Sequence, residues 1–297
     1  MVKLEGLTKR FPNGHGVFDL DLELADGEIV GYLGPNGAGK TTTIRLLMGF
    51  LRQDSGHASI DGRDCWLQSV HVQELVGYLP GEIGFPEDMT GHELLDLLAS
   101  MRRPLDTRVR RLELLHRFDL DADEAIRKMS KGTKQKLALV AALMHRPRVL
   151  ILDEPTAGLD PLMQERFLEL MQEEKQAGTT ALMSSHMFSE VERACDRVAM
   201  IRDGRVIAVE DMARLRSLRR QIFTVTVGAE ADLRAIEAAG CTIVARRGRE
   251  LDLEVHGDYN HFVRTLATCD VRMLDVRPLN LEQIFLHLYG TEEAHTL

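Results

Sequence analysis

The stretch Gly34-Pro35-Asn36-Gly37-Ala38-Gly39-Lys40-Thr41 constrains this chain more than any other. Residues 29–33 before it form an apolar run the length of a buried strand. Behind it, Ile44, Leu47 and Met48 recur at helical spacing. A strand, a glycine-rich turn and a helix start are the context in which such a stretch cradles phosphate. The glycines let successive backbone N–H groups face one anion, and the following helix adds its unpaired N–H groups and the positive end of its dipole. Lys40 is placed to reach β- and γ-phosphates, and Thr41, followed by Thr42, offers a hydroxyl for Mg²⁺.

A length of 297 residues suggests about two domains. The net charge of −9 argues against a nucleic-acid binder held by overall charge. The 4 cysteines lie far apart, in no metal-ligand spacing, which fits a reducing compartment and predicts neither a disulfide framework nor a zinc site. Met1-Val2-Lys3-Leu4-Glu5 does not read as a signal peptide, and no apolar run approaches the ~18 residues of a membrane span. A role at a membrane therefore requires spanning helices on another chain.

Along the chain, Phe18, Leu20, Leu22 and Leu24 alternate with Asp19, Asp21 and Glu23, predicting a strand with one buried face. Asp61-Gly62 and Asp203-Gly204 are hairpin signals. Residues 76–79 read as a short buried strand closed by Pro80-Gly81. Residues 89–129 turn helical: Leu94, Leu95, Leu97 and Leu98 crowd one side of a helix that Pro104 stops. Asp106 or Thr107 caps the next, which carries Val109, Leu112, Leu115 and His116. A third helix follows Ser130. Residues 149–152 are apolar throughout and end in Asp153-Glu154-Pro155. Pro161 starts another helix, ended by Gly178, and residues 181–183 form a strand running into Ser184-Ser185-His186. The basic stretch 212–220 reads as a linker. Beyond it the predicted order is β-α-β-β-α-β, a ferredoxin-like split βαβ unit, with a last helix over 281–289.

Two further stretches carry chemistry. Asp153 ends a buried strand, where a carboxylate can hold a Mg²⁺ shell, and Glu154 follows at once; one carboxylate for metal and one for water suits nucleotide hydrolysis. Met129-Ser130-Lys131-Gly132-Thr133-Lys134-Gln135 opens a helix and offers a hydroxyl, N–H groups and a dipole, a second anion site.

In this order the motifs resemble those of the ATP-binding subunit of an ABC transporter, over about residues 2–215. Residues 34–41 resemble its Walker A motif, 149–154 its Walker B with the catalytic glutamate, and 129–135 its signature sequence. Gly158-Leu159-Asp160 resembles the D-loop and His186 the switch histidine. Phe11 stands where the family places an aromatic against adenine. Two departures stand out. The family's usual Gln falls at Gly81, followed by Glu82, either a substitute metal or water ligand or a surface residue. Lys131 and Thr133 replace a usual Gly and Gln, whereas Ser130 and Gly132, the positions expected to face phosphate, are kept. These variants, and residues 278–286, resemble the subgroup that works with ABC-2-type exporters.

The resemblance implies a P-loop NTPase fold of the ABC ATPase type over residues 1–215. An antiparallel β subdomain and a parallel-sheet, RecA-like α/β core would carry a helical subdomain over about 89–145. A small accessory α+β domain would fill 216–297. It implies Mg²⁺ and ATP as cofactors, Lys40, Glu154 and His186 as catalytic groups, and Thr41, Asp153 and Glu82 toward metal. The partners would be a second copy in a head-to-tail ATP sandwich, an ABC-2-type permease on a separate chain, and no nucleic acid. The location would be peripheral, on the cytoplasmic face of the cell membrane. Two alternatives share the fold: a soluble ABC ATPase without a permease, and a nucleotide-sensing scaffold without turnover.

Overall fold

The computed structural model describes residues 1–102, 107–217, 221–238, 241–255 and 259–278. The chain divides into two units, Met1–Met212 and Ala213–Leu297.

The first unit opens with β1 (Val2–Arg10), β2 (Gly16–Leu24), β3 (Ile29–Leu33), α1 (Lys40–Leu47), β4 (Ser55–Ile60) and β5 (Arg63–Asp64). It continues through α2 (Ser69–Leu75), β6 (Val76–Leu79), α3 (Gly91–Ser100), α4 (Arg108–Arg117), α5 (Lys131–Leu143) and β7 (Val149–Asp153). It ends with α6 (Pro161–Gln176), β8 (Thr180–Ser185), α7 (Phe188–Ala194), β9 (Arg197–Arg202) and β10 (Arg205–Asp211). The antiparallel sheet runs β2-β1-β4-β5. The larger sheet runs β10-β9-β3-β8-β7-β6; β9 through β6 are parallel, and β10 closes one edge antiparallel. β3, β7 and β8 are buried at every position, as strands covered on both faces must be.

Helix α1 packs between the two sheets. Ile44, Leu46 and Leu47 join Leu4, Leu20 and Leu22 of one sheet and Tyr32, Ile151 and Leu182 of the other in a single core. Burying each such side chain contributes about 1.5–3 kcal/mol. Tyr32 is wholly buried there, and burial raises its phenol well above the usual range while its hydroxyl pairs with Thr43 at 3.2 Å. Both hairpin signals form two-residue turns with positive φ at each position, Asp61 and Gly62 at 52° and 72°, Asp203 and Gly204 at 50° and 75°.

The predicted buried face of β2 is shifted at its start. Asp19 sits at φ 54°, and the β1–β2 register slips on either side of Leu7. One extra residue at a bulge exchanges the two faces of a strand, so Val17 rather than Phe18 turns into the core. Phe18 instead lies under the guanidinium groups of Arg10 and Arg205, each 5.7 Å from its ring centroid.

The helical segment also differs from its expected faces, without any bulge. Thr90 caps α3 in a reciprocal box with Glu93, worth about 1 kcal/mol. Leu94 and Leu95 are buried, whereas Leu97 is exposed. In α4 the core side is Leu114 and Leu115; Val109 and Leu112 are 63% and 62% exposed. Thr107 precedes α4 without a side-chain cap bond. Pro104 and Asp106 lie outside the described residues.

The second unit contains most of α8 (Met212–Ser217), then β11 (Gln221–Val227), α9 (Glu230–Ala238), β12 (Thr242–Arg247), β13 (Glu250–Val255), α10 (Tyr259–Leu266) and β14 (Val271–Pro278). Its sheet runs β12-β13-β11-β14, antiparallel throughout, the topology of a split βαβ unit. Phe223, Val225, Leu233, Ile236, Leu253 and Phe262 form its own core. The helix expected over 281–289 lies outside the described residues, as does most of 278–286.

Candidate active site

Neighbouring parallel strands β3, β8 and β7 end side by side, and open α/β sheets bind ligands at the carboxyl ends of their strands. The turn after β3 holds Gly37 at φ 84° and Gly39 at φ 110°, a conformation that favours glycine. Gly39 is the N-cap of α1 and supplies no side-chain cap, and the first turn of α1 carries no acidic residue. Its N–H groups and dipole are thereby left for an anion. Lys40, 6% exposed, folds back over the turn and donates to the carbonyls of Gly34 at 2.6 Å and Pro35 at 3.3 Å.

Asp153, at the end of β7, is almost wholly buried. Its Oδ2 accepts from the Thr41 hydroxyl at 2.8 Å and its Oδ1 from the Ser184 hydroxyl at 2.6 Å. Glu154 leaves the strand at φ 51°, a left-handed conformation unusual for a non-glycine residue, and its N–H donates to Ser184 Oγ at 3.0 Å. This turn swings the carboxylate back over the phosphate loop. Oε2 lies 2.7 Å from His186 Nδ1, in the loop after β8. Oε1 forms an ion pair with Lys40 Nζ at 3.2 Å, yet no hydrogen bond is made to it, although it is buried.

A cavity of about 420 Å³ opens over these groups. Phe11, Pro35, Asn36, Gly37, Gly39, Lys40, Thr41, Thr42, Asp153 and Glu154 line it, together with His15 and Gly16. Gly34 and Ala38 complete the turn, through the Gly34 carbonyl on Lys40 and the Ala38 carbonyl accepting from Gly204 N–H at 2.9 Å. His15 and Gly16 escaped the sequence reading. Their signal was the turn-rich Asn13-Gly14-His15-Gly16, closed by the Phe11 N–H to His15 carbonyl bond of 2.8 Å.

Gly34, Ala38 and His186 stand beside the lining residues without lining the cavity, and Ser130, Gly132 and Glu82 do not line it either. Ser130 caps α5, accepting from Thr133 N–H at 3.1 Å. Gly132 lies against the loop after β7, where a Cβ would come within 2.7 Å of the Gly158 carbonyl. Glu82 is exposed beyond Gly81, which itself sits beside Asp153.

The donors present fit a magnesium nucleotide. A hydroxyl and a carboxylate oxygen already share one point at Thr41 and Asp153, and Glu154 Oε1 is a buried acceptor facing the Lys40 ammonium over the phosphate turn. The uncapped helix start has room for a polyphosphate chain. Fold and site thus define a P-loop nucleotide hydrolase.

The comparisons narrow that class. Residues 17–157 match the family described as ABC transporter. The chain is 32% identical to the linearmycin resistance ATP-binding protein of Bacillus subtilis (strain 168), with 98% of each chain covered. It is likewise 32% identical to a daunorubicin resistance ATP-binding protein of Streptomyces coeruleorubidus, over 98% of this chain and 96% of the relative. A solved ATP-binding subunit of an ABC transporter superposes with a TM-score of 0.68 at 32% identity, over 73% of this chain and 92% of that one. The chain belongs to the ABC transporter family, as an ATP-binding subunit: an ATPase of ATP-driven transport. Such subunits pair with a membrane permease and dimerise. Among the described residues no helix is long and apolar enough to cross a membrane.

Proposed function

We propose that two copies enclose two ATP molecules head to tail and drive an ABC-2-type permease at the cytoplasmic face of the membrane. One observation carries this reading: the nucleotide cavity takes nothing from Ser130 or Gly132, so a single copy leaves two of the expected phosphate-facing residues outside it. A two-fold pair brings the partner's α5 start over the open side, where its N–H groups and the Ser130 hydroxyl meet the γ-phosphate.

Lys40 exchanges its carbonyl partners for β- and γ-phosphate oxygens. Thr41 and Asp153 would hold Mg²⁺, which neutralises phosphate charge when bound. Glu154 accepts a proton from the attacking water through Oε1, and His186 holds the opposite carboxylate oxygen in place. Water oxygen bonds to the γ-phosphorus, and the bond from that phosphorus to the bridging oxygen breaks. ADP and phosphate leave, the bridging charge is lost and the pair opens.

A groove of about 260 Å³ between β6, α3 and α5 supports the permease reading. Phe50, Tyr78, Phe85, Leu98 and Arg102 line it. Met101, 75% exposed, adds apolar surface on α3. A groove of this character accepts an amphipathic segment of a membrane subunit. The two relatives are resistance proteins, and export of a toxic small molecule is the corresponding reading here.

Mixing two inactive variants tests the shared site. Lys40→Ala and Ser130→Phe each spoil both sites of their own dimer. A mixed dimer has one site with an intact Lys40 from one copy and an intact Ser130 from the other, so mixing restores ATPase activity. Two variants that stay inactive when mixed, while each still dimerises, refute the head-to-tail arrangement.

A further inference from the structure

Behind the Glu154–His186 pair stands a second carboxylate that the chemistry above does not use. Glu190, in the first turn of α7, is 7% exposed. One of its oxygens accepts from the Thr156 hydroxyl and the other from the Ser185 hydroxyl at 2.7 Å. Ser185 Oγ also accepts from the Met187 N–H at 2.9 Å. Thr156 lies two residues after Glu154, and Ser185 immediately precedes His186. The two loops that present the acid and the histidine are thus fastened to one buried side chain.

We propose that Glu190 is a positioning residue for hydrolysis. Its two oxygens lock the loop after β7 to the last residue of β8, next to His186, and so keep Glu154 and His186 within hydrogen-bonding distance. Packing alone would favour an apolar residue, because a buried carboxylate is costly unless well partnered. A carboxylate is selected where two donors on separate segments must meet one acceptor group. Ser184, bonded to both Asp153 and Glu154 N–H, ties the same strand ends in front. Glu190 ties the loops behind. The inference rests on Glu154 and His186 acting as proposed above.

The test is the steady-state ATPase of the full chain, with thermal melting to establish folding. Thr156→Val and Ser185→Ala each cut one arm and leave Glu190 in place. Each lowers kcat by about tenfold to a hundredfold with KM for ATP changed by no more than about twofold. The double variant falls no further than the worse single, because both cuts sever one linkage. Glu190→Ala behaves like them, and Glu190→Gln, whose amide can accept from one hydroxyl and donate to the other, recovers part of the rate. Folded single variants with wild-type kcat, or losses that multiply in the double, overturn the proposal, as does a rise in KM at constant kcat. Glu154→Gln is the control. If it turns over normally, the assignment of Glu154 fails; if it is inactive while the Thr156 and Ser185 variants are normal, only the role of Glu190 fails. Should Glu190→Ala not fold, the two hydroxyl variants decide the matter alone.

Discussion

Lys40 Nζ stands 3.2 Å from Glu154 Oε1, so the cation proposed to hold phosphate is itself held by the carboxylate proposed to activate water. Nucleotide must compete with that pairing. Glu154→Gln removes the competing charge as well as the base. It retains ATP at least as tightly as the wild type, loses turnover by about 100-fold or more, and accumulates a dimer in Mg-ATP. Size-exclusion chromatography with nucleotide-binding titration checks it; weaker binding than wild type would show that the Lys40–Glu154 contact does not oppose the ligand.

The contact between Thr41 and Asp153 stands at the Mg²⁺ position proposed above. Chelation with EDTA abolishes turnover. Asp153→Asn raises the Mg²⁺ concentration giving half-maximal rate by about tenfold or more, and Thr41→Ser, which keeps the hydroxyl, leaves it near wild type. A Mg²⁺ titration of phosphate release measures both.

Close packing fixes the phosphate turn from beneath. A Cβ at Gly34 would lie 2.3 Å from the Ile201 carbonyl, a backbone atom that cannot rotate away. Gly34→Ala therefore displaces the turn, costs about 1–3 kcal/mol of stability and weakens ATP binding. At Gly37 nothing stands within 4 Å of an added Cβ, but φ is +84°. Gly37→Ala costs only about 1–2 kcal/mol, from the left-handed backbone. Denaturant melts of the two variants, with ATP titration, separate the effects.

His145, at the end of α5, is buried, and burial, with Arg102 beside it, lowers its imidazole from 6.5 to about 4. The folded chain keeps this ring neutral while the unfolded chain takes up a proton below about pH 6.5. The stability associated with neutral His145 is therefore present above pH 6.5 and is lost as pH falls toward 4, by on the order of 3 kcal/mol. His145→Leu flattens that part of the profile. Unfolding free energies of both proteins from pH 7 to pH 4 give the difference; parallel curves would show that the ring does not titrate on unfolding.

Much of the site could be read directly because it is contiguous. The residues from Gly34 to Thr42 carry their own geometry, and Asp153-Glu154 stands at the end of an unmistakable apolar strand. What escaped depended on distant neighbours. The bulge at Asp19 left the alternation of β2 intact as a pattern and moved Val17 inward. Val109 and Leu112 keep helical spacing, which gives a face but does not say whether another element covers it. Glu190 reads as an ordinary helix-surface acid, and only the meeting of two loops around it gives both oxygens a partner.

Local sequence determined the elements, because apolar period, turn residues and the glycine-lysine-threonine turn act over a few consecutive positions. It determined as well the glycine-rich, uncapped start of α1, where phosphate binding is proposed. The tertiary structure decided how Lys40, Glu154 and His186 share their contacts, with Oε1 of Glu154 beside Lys40 and Oε2 beside His186. Those contacts join residues far apart along the chain. They exist because β8 inserts between β3 and β7 in the sheet, and strand order is fixed by packing rather than by any pattern within a single strand.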